Sequence, residues 1–401
     1  MRLTRFASLS ALLLVACPGS DDAPADTDPS MGTAGTGTTT NTTPGTSNDD
    51  TEGPITSADS TMGTGSETDD PPGTTEDPPV EAEVHWVGRY DASDPAAVRM
   101  GWSGSGFVIR FDGTGASVRM TDEADFFTVV IDGEVQQPPL ATQDGEQVYP
   151  LAAGLPAGEH TIEVYRRTEG QWGITTIHDV MVDGELLPPP AVTRRIELIG
   201  DSLSNGYGNE GMDPCPFTTD TQNNYLTYGP IVAREVGAEL HTISWSSKGV
   251  VYNYGDDMFE PVPQLYPRSV PADPSSTWDY AWQPDLVAIS LGTNDFSTDN
   301  DPTQELFVST YEQFMADVRS NYPDAFFLVL APLLQGNEQN IVDGYIAEVI
   351  ANRAAAGDTN MAYANINVPW IGVGCNQHPT VATHEAMAEL FREQVQIHMG
   401  W

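Results

Sequence analysis

Lysine is nearly missing from this sequence. It occurs once, at Lys248, and the 16 Lys and Arg face 58 Asp and Glu, a formal charge of −42 at pH 7. Nucleic-acid binding needs cations clustered against phosphates, which excludes that class of partner. Cysteine is scarce as well, with three in 401 residues, too few for a disulfide-dense scaffold. A long apolar run is also lacking: FASLSALLLVA, residues 6–16, is roughly half of what a spanning helix needs. No cluster of His and carboxylates stands at ligand spacing, so neither a metal nor a cofactor is expected. What remains is a chain long enough for two domains with proper cores. Its acidic surface would repel acidic polymers and leaves a neutral or acylated substrate as the easier partner.

The first seventeen residues point to export. Arg2 and Arg5 make a basic start, and the apolar stretch ends in LVAC, small residues before Cys17. That ending resembles the lipobox of bacterial lipoproteins, in which the cysteine is lipidated and becomes the mature N-terminus. The alternative is an ordinary cleaved signal with an incidental cysteine; both make the protein exported. Residues 1–17 are thus expected to be a lipoprotein signal. The expected location is a membrane-anchored lipoprotein at the cell surface or facing the periplasm, touching the membrane through the lipid only. From residue 18 to 82 the chain is Thr, Ser, Gly, Pro, Asp and Glu, with fourteen acids and no Lys or Arg. Such a segment cannot bury enough apolar surface to offset its conformational entropy, so a disordered acidic linker is expected. Outside residues 1–82, 44 acids still face 14 bases. With Cys17 used for lipid, Cys215 and Cys375 remain, and in an exported protein they are expected to pair.

Two folded parts follow. Over 83–190, GFVIRF, ASVRM, FFTVVIDG and HTIEVYRRT are short runs rich in Val, Ile, Phe and Thr, separated by Gly-containing turns. No 3.6-residue periodicity intervenes, so an all-β sandwich of jelly-roll type is expected. After the stiff LLPPPAV link, residues 191–401 alternate. RRIELIG, AELHTISW, PDLVAISLG and AFFLVLAP read as buried parallel strands. Helices are expected near 223–237, 303–320, 340–356 and 380–398. In the second of these, Leu306, Phe307, Tyr311, Phe314, Met315 and Val318 make one apolar face. That alternation implies a three-layer α/β domain with a parallel sheet. Sites in such sheets lie beyond the carboxyl ends of the strands.

Three short motifs fall at those ends. ELIGDSLSNGYG places Ser202 after the first strand, SWSSKGV places Gly249 after the second, and LGTNDF places Asn294 after the third. GCNQHPTVATH places His378 just before the last helix. A serine hydrolase needs a nucleophile, a base for its proton, and donors for a tetrahedral oxyanion. Ser202 and His378 fill the first two roles. The N–H groups of Ser202 and Gly249 and the side-chain amide of Asn294 fill the third.

With these blocks the chain resembles the SGNH, or GDSL-type, hydrolases. The segments WVGRYD, WSGSGFVIRFDGT, VVIDGE, LPAGEHTIEVYRRTEG and TQNNYLTYGPIVAREVGAE extend the likeness over roughly residues 84–401. There the chain resembles carbohydrate esterase family 2. The resemblance implies a jelly roll joined to an SGNH domain. It also implies removal of O-acetyl groups from xylan- or glucomannan-type polysaccharide or oligosaccharide, with preference for 6-O-acetyl positions on hexoses. The residues alone indicate a serine esterase. Two other functions compete: a general carboxylesterase or lipase of the same fold, and a non-catalytic carbohydrate-binding lipoprotein.

Individual residues carry further expectations. Asp201 reads as a structural turn residue, and Asp295 as the cap of the helix that follows. A Cβ at Gly249 would intrude where the substrate oxygen must go. His384 competes with His378 for the role of base but falls inside the last helix. Lys248 reads as a solvated side chain. Trp245, Tyr252 and Tyr254 follow the second strand, where aromatic faces could stack on sugar rings or simply pack. The orienting acid that many SGNH enzymes carry three residues before the base is Cys375 here. Two residues before the base stands Asn376. Either a backbone carbonyl or the Asn376 side-chain oxygen would then hold the His378 tautomer, giving a Ser–His dyad.

Overall fold

The computed structural model describes residues 83–334 and 336–401. The lipobox Cys17 and the acidic segment 18–82 lie outside the described residues.

Alternation of apolar and polar side chains organises the first part. In the strand Gly158–Arg166 every second residue from His160 to Arg166 is buried, and Ala116–Asp122 alternates in the same way. That period of two turns one face of each strand inward. Successive long strands fall in opposite sheets. Gly106–Gly113, Phe126–Ile131 and Gly158–Arg166 belong to a seven-stranded antiparallel sheet, while Ala116–Asp122, Gly145–Ala152 and Thr175–Val182 belong to a five-stranded one. Phe107, Ile109, Phe111, Met120, Phe127 and Ile177 meet between the sheets in a common core. This is the expected sandwich.

The second part follows the other pattern. Its strands are apolar on both faces, as a parallel sheet covered by helices requires. Five parallel strands line up in the spatial order Glu239–Ser244, Arg195–Gly200, Leu286–Ile289, Phe326–Leu330 and Met361–Ala364. Numbered along the chain, that order is 2-1-3-4-5, with the switch point beside the first strand. Helices run over Tyr228–Val236, Gln304–Asn321, Gly336–Ala355 and Val381–Met399, close to the expected spans. Helix Gln304–Asn321 shows why it begins where it does: the Thr303 hydroxyl accepts from the Leu306 N–H at 3.3 Å as an N-cap. It stops at Tyr322, the residue before Pro323, where the helical conformation is disfavoured. Its face of Phe307, Tyr311, Phe314, Met315 and Val318 is buried. Leu306 departs from expectation. It is an exposed side chain in the first turn, rotated away from that face.

The two parts are bolted together by charge as well as by apolar contact. Trp102 of the sandwich sits in the same cluster as Ile199, Ile243 and Ile289 of the parallel sheet. Beside it, Arg89 donates at 3.0 Å to Glu197, a carboxylate in the middle of the first parallel strand. Both side chains are fully buried. Tyr266 and Tyr322 donate their hydroxyls to the same carboxylate at 2.7 and 3.0 Å. The Arg89 guanidinium lies 4.4 Å from the centre of the Tyr266 ring, a cation–π contact. An ion pair this enclosed is costly to half-remove, because the survivor stays buried and uncompensated. Arg89→Leu should therefore lower unfolding free energy by about 3–5 kcal/mol. Pairing it with Glu197→Gln should recover part of the loss, as checked by denaturant titration of both variants.

Candidate active site

The first strand ends at Gly200, and Asp201 caps the short turn of helix Ser202–Asn205 by accepting from the Leu203 N–H at 3.0 Å. The turn lifts Ser202 to the rim of the sheet. The loop between strand Met361–Ala364 and the last helix brings His378 to the same place. The Ser202 hydroxyl lies 2.9 Å from His378 Nε2. On the far side of the ring, Nδ1 lies 2.9 Å from the backbone carbonyl of Asn376. A carbonyl only accepts, so Nδ1 carries the proton and Nε2 keeps its lone pair towards Ser202.

Of the two options for the orienting group, it is the carbonyl that lies at Nδ1. The Asn376 side chain turns the other way and donates to the Tyr207 hydroxyl at 3.4 Å. Asn376 and Gln377 both have positive φ, 50° and 59°, and this left-handed pair folds the carbonyl back under the imidazole. Asparagine tolerates that region better than most side chains. The loop is also tied across the site. A disulfide joins Cys375 to Cys215, and the Cys375 N–H donates to the Gly208 carbonyl at 3.0 Å.

An aromatic stack lies against His378, and sequence reading missed it. Tyr207 packs on His378 with ring centres 4.6 Å apart, Phe217 stacks on Tyr207 at 3.9 Å, and Trp172 of the sandwich stacks on Phe217 at 5.4 Å. These residues come from three separate loops, so no periodicity links them. Burial lowers the His378 pKa below its ordinary 6.5, and the bonds to the carbonyls of Asn376 and Cys375 oppose that shift. His384 stands apart, buried in its helix and stacked near Tyr228, with its pKa pushed down to about 3 by burial.

Of the expected oxyanion donors at the rim, those of Asn294 and Gly249 are already engaged. The Asn294 amide donates to the Lys248 carbonyl at 2.9 Å and to Asp201 at 3.3 Å. The Gly249 N–H donates to the Asn253 side chain at 3.3 Å. Gly249 must also be glycine for a local reason. A Cβ there would lie 2.0 Å from the Tyr252 carbonyl oxygen and 2.6 Å from the Asp295 carboxylate. Asp295 itself caps no helix. It gathers the amides of Val250, Val251 and Tyr252 at 2.9, 2.6 and 3.0 Å, and burial raises its pKa to about 6 against those bonds. Burial likewise raises Asp201 to about 7.

The remaining expected residues scatter. Trp245 and Tyr252 are half-buried against the core, whereas Tyr254 is exposed on the rim loop. Lys248 is not simply solvated: its ammonium donates to the Phe259 carbonyl at 2.6 Å, and burial lowers its pKa. A cavity of about 250 Å³ lies elsewhere, between the sandwich and helix Tyr228–Val236, with Val87, Tyr165 and Arg234 in its walls. Among the described residues, no group of three or more His, Cys, Asp or Glu could hold a metal ion.

With this geometry in view, comparison with known proteins gives a consistent picture. The family described as carbohydrate esterase 2 N-terminal matches residues 86–190, and that described as GDSL-like lipase/acylhydrolase matches residues 196–391. A cellulase/esterase, CelE, of Acetivibrio thermocellus is 34% identical over 325 residues, which are 78% of this chain; the chain spans 39% of that protein's length. An acetylxylan esterase/glucomannan deacetylase of Cellvibrio japonicus is 27% identical, with 77% of this chain and 88% of that one covered. The solved structure of a family two carbohydrate esterase from Clostridium thermocellum in complex with cellohexaose superposes with a TM-score of 0.76. It is 33% identical, and the match covers 80% of this chain and all of that one.

Two variants test how the base is held. Asn376→Gly keeps both the carbonyl and the positive φ, so it should leave the acidic limb of the kcat/KM profile in place. Tyr207→Ala admits water to the ring and should move that limb up towards 6.5, because burial disfavours the protonated ring and its relief favours it. A pH–rate series on both proteins checks the pair of outcomes.

Proposed function

This chain belongs to carbohydrate esterase family 2, a family of carboxylic-ester hydrolases, and from that premise we propose that it removes O-acetyl groups from a neutral polysaccharide. Ser202 is the nucleophile and His378 the base. The observation that carries the reading is the 2.9 Å contact between the Ser202 hydroxyl and a His378 Nε2 whose proton is held on the opposite nitrogen. As the Ser202 oxygen attacks the acetyl carbonyl, Nε2 takes its proton. The tetrahedral oxyanion then draws on the amides of Ser202, Gly249 and Asn294. The 3.3 Å bonds from Gly249 and Asn294 are long, and a full negative charge competes with them well. Collapse of the intermediate breaks the ester bond, and Nε2–H protonates the departing sugar oxygen. Water, deprotonated by the same nitrogen, then releases acetate and restores Ser202.

Xylan- or glucomannan-type chains are the substrate class we assign. The name of the Cellvibrio relative and the cellohexaose in the Clostridium structure support a β-linked carbohydrate backbone. An acid-rich surface suits an uncharged, acetylated polymer better than an anionic one. Export, and a lipid on Cys17 that ties the enzyme to a membrane, belong to the same proposal. They rest on the sequence of residues 1–17.

Acetate release from acetylated glucomannan is the test. Ser202→Ala and His378→Ala should abolish it, while His384→Ala should leave turnover in the folded fraction. Asn294→Ala should lower kcat by about 10²–10³, as loss of an oxyanion donor does. Near-wild-type turnover by Ser202→Ala would end the nucleophile assignment, and a change confined to KM would remove Asn294 from the oxyanion role.

A further inference from the structure

Glu169 belongs to the β-sandwich, at the end of the run RRTEG, and its carboxylate is fully buried beneath the Ser202 turn. Four donors converge on it. Oε2 accepts from the Asn205 side-chain amide at 2.9 Å and from the Ser246 N–H at 2.5 Å. Oε1 accepts from the Ser246 hydroxyl at 2.6 Å and from the Gln171 amide at 2.9 Å. Asn205 stands three residues after Ser202, and Ser246 three before Gly249. One side chain from the sandwich therefore grips the nucleophile turn and the oxyanion loop together. A second grip lies alongside: the Ser103 hydroxyl, also of the sandwich, donates to the other side of Asn205 at 2.8 Å.

We propose that Glu169 is a positioning residue for the esterase reaction, by which the sandwich sets the distance between the Ser202 turn and the Gly249 loop. The inference rests on the reading of Ser202 as the nucleophile. Its chemistry follows from the donor set. All four partners are neutral donors, and an ionised carboxylate is the one side chain of this length that only accepts. Two acceptor oxygens, each with two lone pairs, can take these donors with no competing acceptor among them. Had the carboxylate served only to fasten the two parts together, its partners need not have been Asn205 and Ser246. The Arg89–Glu197 pair already performs that fastening elsewhere. Burial raises the Glu169 pKa to about 7 while the Ser246 bonds oppose it, so those donors help keep the acceptor charged. Small displacements of a reacting group are expensive in rate, on the order of 10²-fold for 1 Å. The sandwich is on this account part of the esterase site.

The test separates positioning from folding by counting working sites. Wild type, Glu169→Gln and Glu169→Met are titrated to completion with an organophosphate, and p-nitrophenyl acetate turnover is expressed per titrated site. Glu169→Met removes both acceptors at similar volume, and kcat per site should fall on the order of 10²-fold with KM little changed. Glu169→Gln keeps one acceptor oxygen for Ser246 N–H and Asn205 and should recover much of that loss. Fewer titratable sites with wild-type kcat at each would reduce Glu169 to a folding role and overturn the proposal. Should Glu169→Met yield no folded protein, Glu169→Gln decides: a several-fold fall in kcat per site supports positioning, and no fall overturns it. Failure of wild type to be titrated at Ser202 would instead refute the nucleophile assignment, a separate result.

Discussion

Three buried carboxylates lie under the rim where the first three parallel strands end, and amide and hydroxyl groups satisfy them. A carboxylate out of water must be hydrogen-bonded or it is not tolerated. Asp201 takes the Leu203 N–H and the Asn294 amide, Asp295 takes three successive amides of the second-strand loop, and Glu169 takes Asn205 and Ser246. Each therefore ties two loops together. The turn bearing Ser202, the loop bearing Gly249 and the loop bearing Asn294 are fixed relative to one another by this requirement. Their positions follow from the need to keep buried charge hydrogen-bonded.

The base is held by different means. Among the described residues no carboxylate bonds Nδ1; the Asn376 carbonyl faces it, aimed by two residues of positive φ and secured by the Cys215–Cys375 disulfide. A neutral acceptor stabilises imidazolium less than an anion would, and burial, with Tyr207 packed on the ring, lowers its pKa. Both influences favour the neutral base. The sandwich takes part twice, through Trp172 above the histidine and Glu169 beneath the serine. That involvement explains why the two parts share a fully buried ion pair and a common apolar cluster where a hinge would otherwise lie.

Much of this was legible from the residues, for definable reasons. The change from two-residue to 3.6-residue periodicity marked the passage from sandwich to α/β layers, and Gly-Asp-Ser at the end of an apolar run marked the strand end. Two cysteines left over once Cys17 is set aside, in a chain whose sequence reads as exported, implied the pairing that the structure contains. What escaped was long-range or carried by the backbone. Glu169 meets Asn205 across 36 residues and Ser246 across 77, and nothing in a local window separates it from a solvated turn acid. Asp295 read as a helix cap because its true partners lie some 45 residues earlier in the chain. A carbonyl has no residue signature, so the group orienting His378 stayed open between a backbone carbonyl and the Asn376 side-chain oxygen. Leu306 fitted a helical face by spacing, but its neighbours Phe307 and Val308 take the buried side of the first turn and leave it exposed.

We propose that the acetyl group passes through Ser202, activated by His378 with a backbone carbonyl rather than a carboxylate at Nδ1. The most direct measurement is rapid acid quenching of the wild-type protein during turnover of an acetyl ester, followed by mass analysis of its peptides. A single acetyl group on the peptide containing Ser202, absent from Ser202→Ala, is the predicted result. Turnover that proceeds with that peptide unmodified, or with the acetyl group on another residue, would contradict it.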